Sequence, residues 1–251
     1  MEHFAPLAPV VRALGDADDR HILDPQLLQR VHYARHLPLA AIEQDIAATA
    51  KRTGRSDDAV NLIAVSKTRA ADEIRPLLEQ GHRHFGENRV GEAADKWPAL
   101  RADYPDVTLH MIGQLQSNKA EEAAALFDVI HTVDRPSLIK ALGKLVADGK
   151  AVPPCFLQVN IGEEEQKGGC AIADIGDLLE RARSAGLDIL GLMCIPPQDV
   201  EPAPYFALLA KIAGEHGLKR LSMGMSADYE TAVMLGATEV RVGTALFGPR
   251  D

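Results

Sequence analysis

The sequence has few cysteines, and their arrangement suits neither a metal site nor a disulfide framework. There are three, Cys155, Cys170 and Cys194, with no Cys-x-x-Cys spacing. An odd number without paired spacing argues against zinc binding and against a disulfide-stapled secreted domain. Cys155 and Cys194 lie within apolar runs, which favours buried side chains acting as small hydrophobic residues. We therefore predict no metal site.

Long apolar runs and a leader-like start are also missing. Met1-Glu2-His3-Phe4 has no basic stretch followed by an apolar core, and no segment reaches the length that spans a bilayer. Lys and Arg number 27 against 36 Asp and Glu, so the formal charge is −9. General attraction to nucleic acid or to an anionic membrane is not expected for such a chain. These features predict a cytoplasmic protein that binds neither nucleic acid nor membrane.

The chain also lacks a Gly-x-Gly-x-x-Gly motif after a strand and a Walker-type phosphate loop. It has instead an alternation of short apolar runs with helix-like segments. The strand-like runs are Leu62–Ser66, His82–Gly86, Thr108–Gly113, Val129–Val133, Phe156–Asn160, Ile189–Cys194, Arg220–Gly224 and Glu239–Gly243. The helix-like segments between them are Ala71–Gln80, Asn118–Leu126, Pro136–Asp148, Ile172–Ala185, Pro204–His216 and Asp228–Leu235.

Eight strands separated by helices predict an α/β fold, a single (β/α)8 TIM barrel over residues 39–251. An open doubly wound sheet is the alternative, but its glycine-rich first turn is missing. A helix with Leu39, Ile42, Ile46 and Ala50 on one face precedes the first strand, and Gly54 is its predicted stop. Residues 1–38, with several prolines and only short apolar runs, are predicted to form an irregular or partly helical N-terminal extension.

Lys67 is the first candidate for chemistry. It follows the apolar run Leu62–Val65, which suits a strand buried on both faces. A lysine at the carboxyl end of such a strand stands at the edge of a low-dielectric wall, where its amine can attack a carbonyl group. The alternative is a lysine that closes the strand with its head in water. Because barrel enzymes gather their functional groups at the carboxyl ends of the strands, the polar residues that end the other strands favour the reactive interpretation.

Two of those strand ends, the seventh and the eighth, predict a phosphate cup. Barrels often bind phosphate near these loops, and the chain offers the hydroxyls of Ser222, Ser226 and Thr244 with the backbone N–H of Gly243. Ser226 can also act as a helix N-cap, and the two roles are compatible.

Arg241, between Val240 and Val242, is predicted to point into the barrel mouth. Pairing with a carboxylate such as Glu239 or Glu87 is an equal alternative for this guanidinium.

Other polar side chains have simpler interpretations beside the functional ones. Asn88 can orient a ring or substrate through its amide, or it can cap an Asx turn. His110 and His131 lie within strand-like runs, and His82 and His84 flank Arg83. Histidines with satisfied hydrogen bonds are favoured over metal ligands at these positions.

Seven motifs, in order along the chain, resemble one known family. They are AVSKT (Ala64–Thr68), FGEN (Phe85–Asn88), HMIGQLQSNK (His110–Lys119), QVN (Gln158–Asn160), GLMCIP (Gly191–Pro196), LSMGMSAD (Leu221–Asp228) and RVGTALFG (Arg241–Gly248). From about Leu39 to Gly248 the chain closely resembles the pyridoxal phosphate homeostasis proteins of the YggS/PROSC family. That family is related to the barrel domain of alanine racemase.

The resemblance implies a protein that holds pyridoxal 5′-phosphate (PLP) in Schiff-base linkage to Lys67. It implies that Ser226, Gly243 and Thr244 hold the phosphate with Ser222 close by, that Arg241 faces the pyridine nitrogen, and that Asn88 lies beside the ring. Proteins of this type are regarded as regulators or carriers of PLP without established turnover. We expect a monomer whose partners are PLP and PLP-dependent apoenzymes.

An arginine at the pyridine nitrogen gives a physical reason for weak chemistry, because a guanidinium only donates hydrogen bonds and leaves that nitrogen unprotonated. Racemases with this arrangement add a second base from a further domain, and the sequence ends at Asp251, shortly after the last motif. A PLP-dependent amino-acid racemase of the single-barrel type is the alternative function. A third hypothesis is a Schiff-base aldolase that uses Lys67 directly on a sugar phosphate.

Overall fold

The computed structural model of the protein describes residues 39–248. Its strands are β1 (Asn61–Val65), β2 (His84–Glu87), β3 (Thr108–Met111), β4 (Val129–Val133), β5 (Cys155–Val159), β6 (Ile189–Cys194), β7 (Arg220–Met225) and β8 (Glu239–Val242). Its α-helices are α1 (Leu39–Arg52), α2 (Ala71–Glu79), α3 (Val90–Asp103), α4 (Ala120–Leu126), α5 (Pro136–Ala147), α6 (Ile175–Ser184), α7 (Ala203–Glu215), α8 (Tyr229–Met234) and α9 (Thr244–Phe247). The predicted extension, residues 1–38, lies outside the described residues.

The eight strands form a closed parallel barrel in sequence order. β1 closes the ring against β8, with Asn61 opposite Glu239 and Ala64 opposite Val242. Each strand but the last is followed by a helix on the outside before the next strand begins, the arrangement of a (β/α)8 barrel. The predicted barrel is confirmed, and the open doubly wound alternative is wrong.

Helix α1 has the predicted apolar face. Leu39, Ile42, Ile46 and Ala50 are all buried, and the chain turns away at Gly54 with φ of +73°, a conformation that glycine adopts at little cost. The phenolic oxygen of Tyr229 on α8 donates a hydrogen bond to Asp45 at 3.3 Å. The helix therefore packs on the outside of the barrel near its closing strands.

Helix α3 was not predicted from the sequence. Gly91 and Pro98 lie within it, and both residues normally argue against a helix interior. The helix forms because Trp97, Ala93 and Leu100 are fully buried beneath it, so tertiary packing outweighs the local preference. This helix supports the candidate site described below.

The barrel interior is partly polar. Val129, Phe156 and Met193 form a small apolar cluster apart from the main core between strands and helices. His131 on β4 stacks on Phe156 with ring centroids 4.5 Å apart and contacts Ser222 on β7 at 2.8 Å. Since β4 and β7 are not neighbours in the sheet, that contact crosses the middle of the barrel.

The three cysteines are free and buried, which confirms the expectation for Cys155 and Cys194. Burial raises the pKa of each thiol to about 12, so these groups are poor nucleophiles near neutral pH. Within residues 39–248 no three His, Cys, Asp or Glu side chains are arranged to hold a metal ion. None of the helices in the same range is long and apolar enough to cross a membrane.

Gly191 allows β6 and β7 to approach each other. A Cβ atom at this position would lie 1.8 Å from the carbonyl oxygen of Arg220. We expect Gly191→Ala to lower the free energy of unfolding by about 3 kcal/mol or more, because backbone atoms must move to relieve the overlap.

Gly214→Ala is the matched control, because its Cβ would meet nothing within 4 Å and Gly214 lies inside α7. Gly214→Ala should raise the free energy of unfolding by roughly 0.5–1 kcal/mol, because alanine favours a helix over glycine. Urea unfolding of both variants measures the difference, and equal effects would contradict the close-approach explanation.

Candidate functional site

The carboxyl ends of the strands surround a cavity of about 400 Å³. Its lining comes from the turn after β1, the segments that follow β2, β3 and β6, the loop after β7, and the end of β8 with its following turn. Six of the seven predicted site residues line it: Lys67, Asn88, Ser226, Arg241, Gly243 and Thr244. The structure thus brings together side chains that lie far apart in sequence, at the edge where barrel sites are built. The seventh residue, Ser222, is not among the lining residues.

Lys67 lies in a turn that is held from beneath. The Nζ of Lys96 donates hydrogen bonds to the carbonyl oxygens of Ser66 at 2.8 Å and Arg69 at 3.1 Å, on either side of Lys67. Thr68 has φ of +62°, an uncommon conformation for a β-branched residue, and its N–H is held by the carboxylate of Glu92. A backbone hydrogen bond from the N–H of Arg69 to the carbonyl oxygen of Ser66 at 3.1 Å closes the turn, and the contacts of Lys96 and Glu92 brace it on either side of the lysine.

Glu87 is the buried centre of this support. Its Oε1 accepts hydrogen bonds from Ser66 Oγ at 2.6 Å and from Trp97 Nε1 at 3.0 Å, and it pairs with Lys96 at 2.9 Å. All three partners contact Oε1, while Oε2 is buried without a hydrogen-bond partner among the described residues. The pairing with Lys96 therefore matters more, because a buried carboxylate that also lost its cation would be strongly destabilising. Trp97, Lys96 and Glu92 all come from helix α3.

The sequence analysis missed these supporting residues because it missed α3. One signal was present: Glu92 and Lys96 are four residues apart in the orientation that stabilises a helix, and they pair at 2.9 Å. Gly91 and Pro98, which lie within the same helix, act against that signal.

Arg241 points inward as predicted and is almost completely buried. Its Nη1 donates a hydrogen bond to Ser222 Oγ at 2.6 Å, and its Nη2 donates one to the carbonyl oxygen of Cys194 at 2.9 Å. Burial lowers the pKa of Arg241. The alternative of pairing with a carboxylate is wrong, because Glu239 pairs with Arg220 and Glu87 pairs with Lys96.

Arg241 is therefore a buried cation held by neutral acceptors. Among residues 39–248, no carboxylate lies within 4 Å of its guanidinium. A buried charge without a counter-ion is costly, and such groups concentrate at functional sites. The cavity side of Arg241 is suited to a ligand with a hydrogen-bond acceptor.

Ser222 lies behind Arg241. It is completely buried, and its hydroxyl oxygen contacts the guanidinium and the Nδ1 of His131. The structure therefore puts Ser222 in contact with the arginine rather than with the loops that line the cavity.

The loops after β7 and β8 are joined through Ser226. Its Oγ accepts hydrogen bonds from the backbone N–H groups of Gly243 at 3.2 Å and Ala245 at 3.4 Å. Gly224, near the end of β7, bends the chain just before the first of these loops, with φ of +94° and no room for a Cβ, which would lie 2.5 Å from Ala232. Ser226 Oγ occupies these two N–H groups, and the hydroxyl groups of Ser226 and Thr244 lie at this side of the cavity with protons to donate to an anion.

Asn88 ends β2 on the other side of the cavity, half-buried. The chain just after β3 comes very close, since a Cβ on Gly113 would lie 2.2 Å from the carbonyl oxygen of Asn88. Its backbone is therefore fixed by packing, which suits a side chain that orients a ring.

The buried histidines are hydrogen-bonded, as predicted. Burial, followed by the neighbouring His84 and Arg220 charges, lowers the pKa of His110 to about 3. Burial, His110 and Arg241 lower the pKa of His131 well below its ordinary value. Both rings are therefore neutral in the folded protein at neutral pH.

We expect these two histidines to make the protein less stable as the pH falls. Below about pH 6.5 the unfolded chain binds protons at these rings and the folded chain does not, so the free energy of unfolding falls with pH. Titration of His110 in the unfolded chain alone should lower the free energy of unfolding by roughly 2–3 kcal/mol between pH 6.5 and about pH 4.5. Urea unfolding across this range is the measurement, and its upper half lies above the ordinary pKa values of Asp and Glu. An unfolding free energy that stays constant would contradict the neutral, buried rings.

A family model and individual proteins of known sequence relate this chain to the same family. The family model described as "Alanine racemase, N-terminal domain" matches residues 37–251. The chain is 40% identical to the pyridoxal phosphate homeostasis protein of Pseudomonas aeruginosa over 219 residues, which is 85% of this chain and 94% of that one. It is 38% identical to the protein of the same name from Escherichia coli K12 over 225 residues, 85% and 95% of the two chains.

A solved structure of PipY from Synechococcus elongatus, with PLP bound, superposes with a TM-score of 0.71 and 40% sequence identity. The match covers 81% of this chain and all of that one.

Proposed function

Because the chain belongs to the pyridoxal phosphate homeostasis proteins, within the alanine racemase N-terminal domain family, we propose that it binds PLP in the cavity at the barrel mouth. Its role is intracellular PLP homeostasis, as a carrier or regulator of the cofactor without catalytic turnover. The observation that carries this proposal is the convergence of Lys67, Arg241 and Ser226 on one cavity.

The donor set of the cavity fits the three chemical groups of PLP. An amine suits the aldehyde, and a buried guanidinium suits the ring nitrogen as a hydrogen-bond donor. The hydroxyls of Ser226 and Thr244 suit the phosphate, and the Gly243 N–H, which donates to Ser226 Oγ, would turn to a bound phosphate oxygen. The volume of about 400 Å³ is within the usual range for a small-molecule site. Asn88 would lie beside the ring.

When bound, PLP supplies an aldehyde that condenses with an amine and releases one water molecule. We assign Lys67 as that amine, in a Schiff-base linkage. Lys96, Glu87 and Glu92 hold the turn that presents it. Arg241 keeps its proton and offers only N–H donors, so it leaves the ring nitrogen without a proton and weakens the ring as an electron sink. This supports binding rather than turnover.

The phosphate assignment predicts a difference between PLP and pyridoxal, which lacks the phosphate. We expect Ser226→Ala to weaken PLP binding by about tenfold or more, since a hydrogen bond to a charged group contributes roughly 1.5–3 kcal/mol. Binding of pyridoxal should change little. Titration of the cofactor-free protein with each compound is the measurement.

Ser117→Ala is the matched control, because Ser117 begins a short 3-10 helix after β3 and does not line this cavity. It should leave both affinities unchanged. If Ser226→Ala weakened PLP and pyridoxal equally, the phosphate would have to bind elsewhere.

Absence of turnover is tested separately from binding. A carrier should not exchange the Cα proton of added amino acids with deuterated solvent, whereas a racemase should do so continuously. Sustained exchange with any amino acid would favour the racemase alternative. The PLP-dependent apoenzymes as recipients, the monomeric state and the cytoplasmic location stay predictions.

A further inference from the structure

Three histidines follow one another through the barrel interior and end at Arg241. His84 Nδ1 lies 3.1 Å from His110 Nε2, and His110 Nδ1 lies 2.9 Å from His131 Nε2. His131 Nδ1 lies 2.8 Å from Ser222 Oγ, which accepts a hydrogen bond from Arg241 Nη1 at 2.6 Å. We call His84, His110 and His131 the histidine column. The column and Ser222 together form a continuous chain of hydrogen bonds.

The column runs from one end of the barrel toward the other. His84 lines a second cavity, of about 440 Å³, near the amino ends of the first strands. Arg241 lines the cavity at the carboxyl ends. The hydrogen-bond chain therefore begins at one cavity and ends at the group assigned to the cofactor ring.

Arg241 sets the direction of every hydrogen bond in this chain. A guanidinium only donates, so Ser222 Oγ is an acceptor toward Arg241 and has one proton left to donate. His131 Nδ1 is the other polar atom that the described residues put in contact with that hydroxyl. If Nδ1 donated instead, the buried hydroxyl proton would have no acceptor, which is costly. Ser222 therefore donates to His131.

The direction passes to the other two rings because a neutral imidazole has one donor and one acceptor. With Nδ1 accepting, His131 carries its proton on Nε2 and donates it to His110 Nδ1. By the same reasoning His110 donates from Nε2 to His84 Nδ1, and His84 is left with Nε2–H. Burial is the largest cause that lowers the pKa of each ring, and the charge of Arg220, with that of Arg241 at His131, acts in the same direction.

Resting on the proposed function, we propose that His131 is a positioning residue for Arg241: through Ser222, the histidine column holds the guanidinium in the orientation that faces the cofactor ring. Stacking of His131 on Phe156 at 4.5 Å and 20° fixes the ring plane. Arg220 covers Phe156 at 5.5 Å, so the stack itself is held.

An apolar filling of this space would be the simpler design for stability, since buried polar groups must all be satisfied to avoid a penalty. In the histidine column, each ring nitrogen that faces the barrel interior has a hydrogen-bond partner. At the Arg241 end, the contact with Ser222 is one of the two hydrogen bonds that hold the buried guanidinium, and the other goes to the carbonyl oxygen of Cys194. This is why we assign it to positioning rather than to packing.

The first test is the protonation site of each ring in the full chain without PLP. Nitrogen NMR of protein labelled at histidine should show His84, His110 and His131 as neutral rings with the proton on Nε2. A proton on Nδ1 of His131 would overturn the inferred direction. This result does not depend on cofactor binding, so it stands or fails separately from the proposed function.

The second test compares two substitutions of His131. His131→Asn keeps an acceptor oxygen near the position of Nδ1, and His131→Phe removes it. We expect His131→Phe to weaken PLP binding by about tenfold, because Ser222, the acceptor for the Arg241 guanidinium, loses its hydrogen bond to His131. The absorbance spectrum of the bound cofactor should also shift. His131→Asn should restore most of the affinity and the spectrum.

His216→Phe, at the end of α7 and outside the column, is the control and should match the unchanged protein. Thermal unfolding without PLP separates stability from positioning. If both His131 variants fold and bind PLP with the original affinity and spectrum, the column has only a structural role and the proposal is wrong. Should His131→Phe fail to fold, Ser222→Ala gives the same comparison with a smaller change in volume. Failure of the unchanged protein to bind PLP would contradict the proposed function instead.

Discussion

Lys67→Ala is expected to abolish the yellow absorbance of the protein with bound PLP. The aldehyde then has no amine to condense with in the cavity, while the phosphate cup of Ser226, Gly243 and Thr244 remains. PLP should still associate, but more weakly and with the spectrum of the free aldehyde. Absorbance spectroscopy of the two proteins at equal cofactor concentration is the measurement.

Reduction with borohydride makes this test specific for one residue. The intact mass of the unchanged protein should increase by one reduced cofactor, and peptide mapping should find it on Lys67. Lys211→Ala is the control, because Lys211 is a largely exposed lysine on α7 with a 73% accessible side chain. That variant should label like the unchanged protein. Labelling of Lys67→Ala to the same extent would remove the central residue of the proposal.

Lys96→Met is expected to destabilise the protein by about 3–5 kcal/mol. It removes the cation that pairs with the buried carboxylate of Glu87 at 2.9 Å, and a buried charge left without its partner is among the most destabilising changes in a protein. The carbonyl oxygens of Ser66 and Arg69 lose a donor at the same time. Urea unfolding measures the loss, and PLP affinity should fall because the turn carrying Lys67 is no longer held.

Lys119→Met is the matched control, since Lys119 also pairs with a glutamate, Glu122, but both side chains are about half exposed. Exposed pairs contribute roughly 0–1 kcal/mol, so this variant should differ little from the unchanged protein. The double variant Lys96→Met with Glu87→Leu should recover part of the lost stability, because no unpaired charge then remains. Equal losses in Lys96→Met and Lys119→Met would show that Glu87 is not the reason.

Most of the barrel could be predicted because its strands leave a direct signal in the sequence. Runs such as Leu62–Val65 are buried on both faces and read as apolar stretches between polar turns. The carboxyl ends of those strands then locate the cavity, since all parallel strands of a barrel end on the same side. This is how Lys67, Ser226 and Arg241 could be grouped without any structure.

The support of the site could not be predicted in this way. Helix α3 is stabilised by the burial of Trp97 against the barrel, which local preference does not reveal. The partners of Glu87 and Arg241 depend on which side chains meet across the fold. Ser222 illustrates this: the position before a phosphate loop suggested a ligand contact, yet its inward direction on β7 brings it to Arg241 and His131.

The pairing of β1 with β8 determines when, during synthesis and folding, the protein can bind its cofactor. Lys67 follows the first strand and Gly243 the last, and they are brought together because these two strands pair, with a Cβ on Gly243 reaching within 3.3 Å of Val65. A chain still emerging from the ribosome has the amine long before it has the phosphate donors. PLP can therefore bind fully only after β8 has paired with β1 and closed the barrel. Once bound, PLP stabilises the closed barrel, because a ligand that binds only the folded state shifts the folding equilibrium toward it.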